Sequence, residues 1–428
     1  MGLPIAACGE GTWLGASEEP PLPGTRVPVL LLGTGPKAAP ELANLPVVLP
    51  QPQPNPAWPQ YGGTPDHAPQ HLAAAESLTR AWSVSIGSGA SGSARLLSPP
   101  IVAEDRVYVV DADSRVSAWS VAEGRNIWRG LPGKEESVDR LGGGGAAYGG
   151  GTVFSALSFG EVTARDASTG AELWRVLLKA PVRSAPTIIG DRLLIRTADS
   201  QLFALDAERG QIVWRHAGAV EQAGILGSAP PAATNRMAIA AYPSGEVHAL
   251  DLTNGRPIWS ETLLRPRRTL AIGTINDITG APVIDQDRVY VAGSGGEMAC
   301  LSLARGERIW EVAIASLTTP WVAGNFIYVV TDRGELVCVL REKGGIRWVS
   351  PLGRAEGSSA ARTLWAGPTL VSDRLLLAGS NGDVISVSPY TGEILGKTSV
   401  GGRFSQPPVA AGGSVYVLGD DGRLTAFR

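Results

Sequence analysis

The residues of this chain that could act on a substrate or hold a metal are few: three cysteines, four histidines and the carboxylates. Cys8, Cys300 and Cys338 are too few for a disulfide framework. His67, His71, His216 and His248 show no metal-ligand spacing, and His67 and His71 flank Pro69, which argues against a helical i, i+4 metal pair. No C-x-x-C-H haem attachment and no adjacent cysteine pair occur. Many carboxylates sit in turns such as Asp420-Asp421-Gly422, where solvation is the ordinary state of a turn residue. The basic run Arg265-Pro266-Arg267-Arg268 reads as a solvated loop suited to acidic partners or lipid headgroups. One cysteine has a distinct context. Ile5-Ala6-Ala7-Cys8 has the form of a bacterial lipobox, in which the cysteine is acylated and becomes the first mature residue. Only seven residues precede it, fewer than a basic n-region and an apolar h-region require. Either Met1 lies downstream of the true start or the motif is coincidental.

The elements that must position these residues form a repeat. DASTGAELWR (166–175), DAERGQIVWR (206–215) and DLTNGRPIWS (251–260) share a turn glycine followed four residues later by tryptophan. The pairing recurs at Gly124/Trp128, Gly170/Trp174, Gly210/Trp214, Gly255/Trp259, Gly306/Trp310 and Gly344/Trp348. A seventh turn, at Gly392, has Gly396 in place of the tryptophan, and Trp82 stands one repeat length before Trp128. Within a repeat, SAPTIIG, LLIRTA, QLFALD and IVWRHA read as four short strands separated by Gly- and Asp-containing turns. Four antiparallel strands per repeat of about 45 residues describe a propeller blade. The recurrent tryptophan fills the widening gap between blades, worth about 2–3 kcal/mol in apolar burial. Asp166, Asp206 and Asp251 are placed to accept backbone N–H groups at the turn.

Counting predicts an all-β, eight-bladed propeller. The last blade takes three strands from PPVAAG, SVYVLG and RLTAFR and its fourth from LTRAWSVSIG (78–87) around Trp82, which removes the open edge. Cys300 and Cys338 then fall at one position of neighbouring blades, where other repeats have Ala118, Ala164, Ala204 and Ala249. Sheets about 10 Å apart cannot be joined by a disulfide, so both read as buried core residues. Residues 1–24 read as a lipoprotein-type N-terminus and linker, 25–57 as an extended Pro-rich segment with one short strand (RVPVLLLG, 26–33), and 58–428 as the propeller. With 37 Lys and Arg against 40 Asp and Glu, the charge gives no basic surface for nucleic acid. No apolar run is long enough to span a bilayer as a helix.

Copies such as ALDAERGQIVW (204–214), with the opening WPQYGGTPDH (58–67) and LTRAW (78–82), resemble the quinoprotein-type (PQQ-like) propeller repeat. Two families carry it: quinone-dependent alcohol and glucose dehydrogenases, and the outer-membrane assembly factor BamB family of lipoproteins. PLPG-RVPVL (21–30), GILGSAPP (224–231) and INDITGAPV (275–283) resemble the latter. That resemblance implies a non-catalytic scaffold without cofactor, lipid-anchored through Cys8 at the periplasmic face of the outer membrane. It implies contacts with the periplasmic domains of a BamA-like barrel protein from Ile225, Leu226, Gly227, Ser228, Asp277 and Ile278. A dehydrogenase would instead need a bound quinone, a polarising metal and a carboxylate base. A generic protein- or carbohydrate-binding propeller is the third reading.

Overall fold

Each repeat folds as a short meander, because its turns reverse the chain every five or six residues and its inner strands, apolar on both faces, are buried between neighbouring blades. The computed structural model describes residues 35–92, 94–130, 144–219, 229–263, 278–353 and 362–428. The compact unit Gly35–Arg428 contains eight antiparallel four-stranded blades, numbered here 1–8; Gln53–Pro54 and Leu72–Ala73 extend the sheet of blade 7 to six strands in parallel pairing. The first strands of the blades are Ile101–Ala103, Gly144–Gly149, Thr187–Ile189, Ala232–Ala233, Val283–Asp285, Trp321–Ala323, Trp365–Val371 and Val409–Ala411. These first strands are almost wholly buried, whereas fourth strands such as Glu172–Leu177 are largely exposed, so each blade runs from axis to rim. Apolar clusters lie between neighbouring sheets. Phe154 and Ala156 of blade 2, for example, pack with Ile195 and Leu205 of blade 3.

The tryptophans are the repeated joint between blades. The Nε1–H of Trp82, Trp128, Trp174, Trp214, Trp259, Trp310 and Trp348 donates to the carbonyl of Val121, Ala167, Ala207, Leu252, Leu303, Arg341 and Pro389 respectively, at 2.8–3.3 Å. Each acceptor sits in the turn between the third and fourth strands of the next blade. The indole lies flat on that turn's glycine. A Cβ added at Gly255 would come within 2.6 Å of the Trp214 ring, and Gly255 has φ +70°. Glycine is therefore required twice, for the left-handed backbone and for the neighbour's ring. A small residue faces each indole across the sheet: Ala118, Ala164, Ala204, Ala249, Cys300 and Cys338 pair with Trp128, Trp174, Trp214, Trp259, Trp310 and Trp348. Both cysteines are free and buried, and burial pushes the Cys300 thiol up to about 11. The turn aspartates behave as expected: Asp166 accepts the hydroxyls of Ser168 and Thr169 and their backbone N–H groups, which together hold its pKa down to about 2.

Blade 8 is closed as the repeat count predicts. Arg80–Ser85 pairs antiparallel with Arg423–Phe427, and Thr79 and Arg428 exchange backbone hydrogen bonds. The third and fourth strands of this blade are thus not joined by a turn. At the joint from blade 7 to blade 8 there is no turn for an indole to dock on, which accounts for Gly396 in the tryptophan position. A Cβ there would meet nothing within 4 Å.

A second closure was not anticipated. Residues 55–75 make one full circuit of the ring. Asn55 binds blade 8 by accepting from Gly412 N. Trp58 exchanges two backbone hydrogen bonds with Val102 of blade 1, and Pro59 O accepts from Tyr148 of blade 2. Gln60 Oε1 accepts from Ile188 N of blade 3. Pro65, Asp66 and Leu72 carbonyls accept from Ala233, Ile284 and Ser372 of blades 4, 5 and 7, while Gln70 accepts from Gly324 and Trp321 of blade 6. Ala75 N returns to blade 8 at Gly413 O. The ends of the circuit overlap where Gln53–Pro54 pairs with Leu72–Ala73. The contacts fall along the first strands and in the turns after them, so the strap covers one end of the central channel.

Candidate functional site

In a meander of four strands, the turn between strands 2 and 3 and the connector to the next blade share one end of the propeller, opposite the strap. That end is open. A cavity of about 400 Å³ runs from it down the axis to the strap, lined by connector residues of blades 1 and 4–8. It continues outward into a cavity of about 250 Å³, with which it shares Leu317, Thr318, Leu364, Ala366 and Ser405. Leu317 and Leu364 are exposed at the mouth, beside the charged Asp332, Arg403 and Asp420. Farther in, the lining has no Asp, Glu, Lys or Arg.

The strap forms the floor of this channel. Trp58 stacks on Trp321 with ring centroids 6.2 Å apart, and Tyr61 meets the His67 ring edge-on at 5.6 Å. His67 Nδ1 hydrogen-bonds Pro282 O at 2.8 Å, and burial holds its pKa down at about 4, so the imidazole is neutral. His71 lies elsewhere. Its Nδ1 donates to Pro50 O and its Nε2 accepts from Asp373 N, which ties strap to blade 7. The fold does bring His216 and His248 together, Nε2 to Nδ1 at 2.8 Å across the blade 3–4 joint. Residue spacing could not show that contact, because it joins different sheets. Burial lowers the pKa of both. Among the described residues no group of three or more His, Cys, Asp or Glu is arranged for a metal.

The two connectors singled out in the sequence both belong to the open end. The described residues at their bases share one apolar cluster: Ala229 from the first, Leu263 and Ile278 from the second, with Trp259. The buried Arg196 guanidinium donates from Nε to Ala229 O at 3.3 Å. Ile278 is only 1% exposed, so its side chain anchors the connector and does not face outward. Its expected place among the surface contacts is corrected accordingly. Ile225, Leu226, Gly227, Ser228, Asp277, Cys8 and the Arg265–Arg268 run lie outside the described residues.

Residues 74–141, 134–350 and 349–428 match the family model described as outer membrane protein assembly factor BamB. The chain is 25% identical over 357 residues to the BamB of Moranella endobia, covering 81% of this chain and 89% of that relative. It is 25% identical over 355 residues to the BamB of Bordetella pertussis, covering 82% and 87%. A match to the BamB of Nitrosomonas eutropha is 29% identical over 230 residues and spans 54% of each chain. Among solved structures, BamB from Moraxella catarrhalis aligns with TM-score 0.69 at 21% identity, over 82% of this chain and all of that one. A quinohemoprotein alcohol dehydrogenase from Comamonas testosteroni aligns with TM-score 0.66 at 14% identity, over 87% and 80%. These two likenesses concern the fold. Among the described residues, the inner part of the axial cavity offers no carboxylate base and no metal cluster of the kind a metal-polarised quinone needs.

Proposed function

We infer the role of this chain from its membership: it belongs to the outer membrane protein assembly factor BamB family. The relatives' names place them in the assembly of outer-membrane proteins, and this chain takes the same general role at the periplasmic side of that membrane. It is a non-catalytic scaffold that binds the periplasmic domains of a BamA-like barrel protein through the connectors after blades 3 and 4. Ile225, Leu226, Gly227, Ser228 and Asp277 supply the contact, an apolar anchor beside an acidic rim, and Ile278 holds the base. The observation that carries this reading is the shared cluster of Ala229, Leu263 and Ile278, which makes two connectors distant in sequence rise from one foundation. Acylated Cys8 is the tether.

Replacing Leu226 and Asp277 together with alanine tests the contact. Co-purification of the barrel protein should fall at least tenfold while the melting temperature stays unchanged; undiminished co-purification contradicts the assignment. Mass spectrometry of the membrane-extracted native protein tests the tether, and an unmodified Cys8 in the mature chain rules it out.

A further inference from the structure

The joint between blades 3 and 4 departs from the repeat at Arg196, His216, Gly218, Tyr242 and His248, all near the feet of the connector after blade 3. At the end of the second strand, where blades 4 and 6 have Ala241 and Val330, blade 3 has Arg196, only 1% exposed. After the fourth strand, where blades 2, 4 and 6 bury Leu178, Leu263 and Leu352, blade 3 has Gly218. The buried ring of Tyr242 from blade 4 takes that space, since a Cβ at Gly218 would lie 2.7 Å from Tyr242 Cδ1. Blade 6 has Thr331 in the place of Tyr242, Ser350 in that of His216 and Val337 in that of His248.

These residues hold both feet of the connector. Glu246 secures its start, accepting from Ala219 N at 3.0 Å while also accepting from Ser244 Oγ at 2.9 Å. Arg196 secures its end through Ala229 O, with the guanidinium 5.9 Å from the Tyr242 ring. The histidine pair stands beside both. His248 meets Tyr242 edge-on with centroids 5.0 Å apart, and its Nε2 is 3.7 Å from Glu246 Oε2. Among the described residues, Glu246, Tyr242 and Arg196 are the titratable and charged groups gathered around the pair. Its sheet neighbours Leu202, Ala240 and Ser260 do not titrate.

With nitrogens 2.8 Å apart and centroids 5.1 Å apart, the two imidazoles meet nitrogen to nitrogen. One ring donates and the other accepts. One added proton can be shared, because an imidazolium donates to a neutral ring. A second puts two N–H groups and two like charges face to face, and the rings must part. His216 lies two residues before Gly218, and His248 two after Glu246, so their parting acts on the strand that launches the connector and on the carboxylate that secures it. Burial favours the neutral rings, so an opened joint takes up protons more readily and falling pH drives the opening.

We propose that the blade 3–4 joint is a proton-operated seat for the connector after blade 3, closed while the His216–His248 pair shares its hydrogen bond and opened when both rings are protonated. The seat belongs to the free chain. Its consequence, a partner contact that weakens in acid, rests on the connector reading above.

Hydrogen–deuterium exchange of the free full chain, corrected for the intrinsic pH dependence of exchange, tests the seat. From pH 7 to pH 4.5, protection of residues 216–231 should fall at least tenfold, while that of 263–282 stays within threefold. His216→Gln and His248→Gln, whose side chains cannot charge, should each hold residues 216–231 within threefold. If one variant does not fold, the other carries the comparison, and imidazole nitrogen NMR of the wild type should show the two rings titrating in coupled, separated steps. Unchanged wild-type protection, an equal loss in a folded variant, an equal loss at 263–282, or two independently titrating rings would each overturn the proposal. Protection lost in the free chain while affinity for the BamA-like periplasmic domains stays constant over the same range would support the seat and contradict the connector contact.

Discussion

The two ends of this propeller are built on opposite plans. At the strap end, an irregular segment touches all eight blades and ties its amide and imidazole side chains to them; Gln60, Gln70, Asn55 and His71 all hydrogen-bond into the ring. At the connector end, Leu317 and Leu364 are exposed at the mouth of the cavity and the described bases of two connectors share one apolar cluster. Binding function belongs where backbone polar groups and apolar side chains are left for a partner, and stability belongs where they are spent internally.

The contrast predicts effects of graded size. His71→Ala removes a ring that answers two backbone groups at the strap end, Pro50 O and Asp373 N. Urea denaturation should show a loss of about 3 kcal/mol. Gly255→Ala forces a left-handed alanine into the Trp214 ring and should cost about 2–3 kcal/mol. The same change at Gly396, where no indole docks and space is open, should stay within about 0.5 kcal/mol of wild type. If both glycines respond alike, the docking account of the missing tryptophan is wrong.

The pH response follows from His67. Its folded-state pKa of about 4 lies below the ordinary value of 6.5, so the unfolded chain takes up the proton first as pH falls. The stability it contributes is whole above about pH 6.5 and is lost toward pH 4. His216 and His248 are depressed in the same direction. Between pH 7 and 5 the wild type should lose about 2 kcal/mol that His67→Phe does not lose, measured as the difference between their denaturation midpoints. At the other end, Leu226→Ala with Asp277→Ala should change stability by less than about 0.5 kcal/mol, the usual effect of surface substitutions.

The blades were legible because one constraint repeats: an indole, a turn glycine four residues before it and a small residue across the sheet leave a periodic trace. Even the exception was readable in part, since Gly396 marks the joint onto blade 8, whose third and fourth strands no turn connects. The strap left no such trace. Its attachments to the eight blades use backbone groups and side-chain amides at irregular intervals, so WPQYGGTPDH and its Pro-rich approach read only as the entry to the propeller. The His216–His248 contact was equally hidden, because the residues lie on different blades 32 positions apart. The family resemblance makes Ile278 a surface contact, but apolar burial draws it into the base.

Hydrogen–deuterium exchange of the full chain, with and without the periplasmic domains of a BamA-like barrel protein, measures both ends at once. The account predicts added protection in the connectors 218–231 and 263–282 and no change along the strap, residues 53–75. Protection confined to the strap end, with both connectors exchanging as in the free chain, would contradict it.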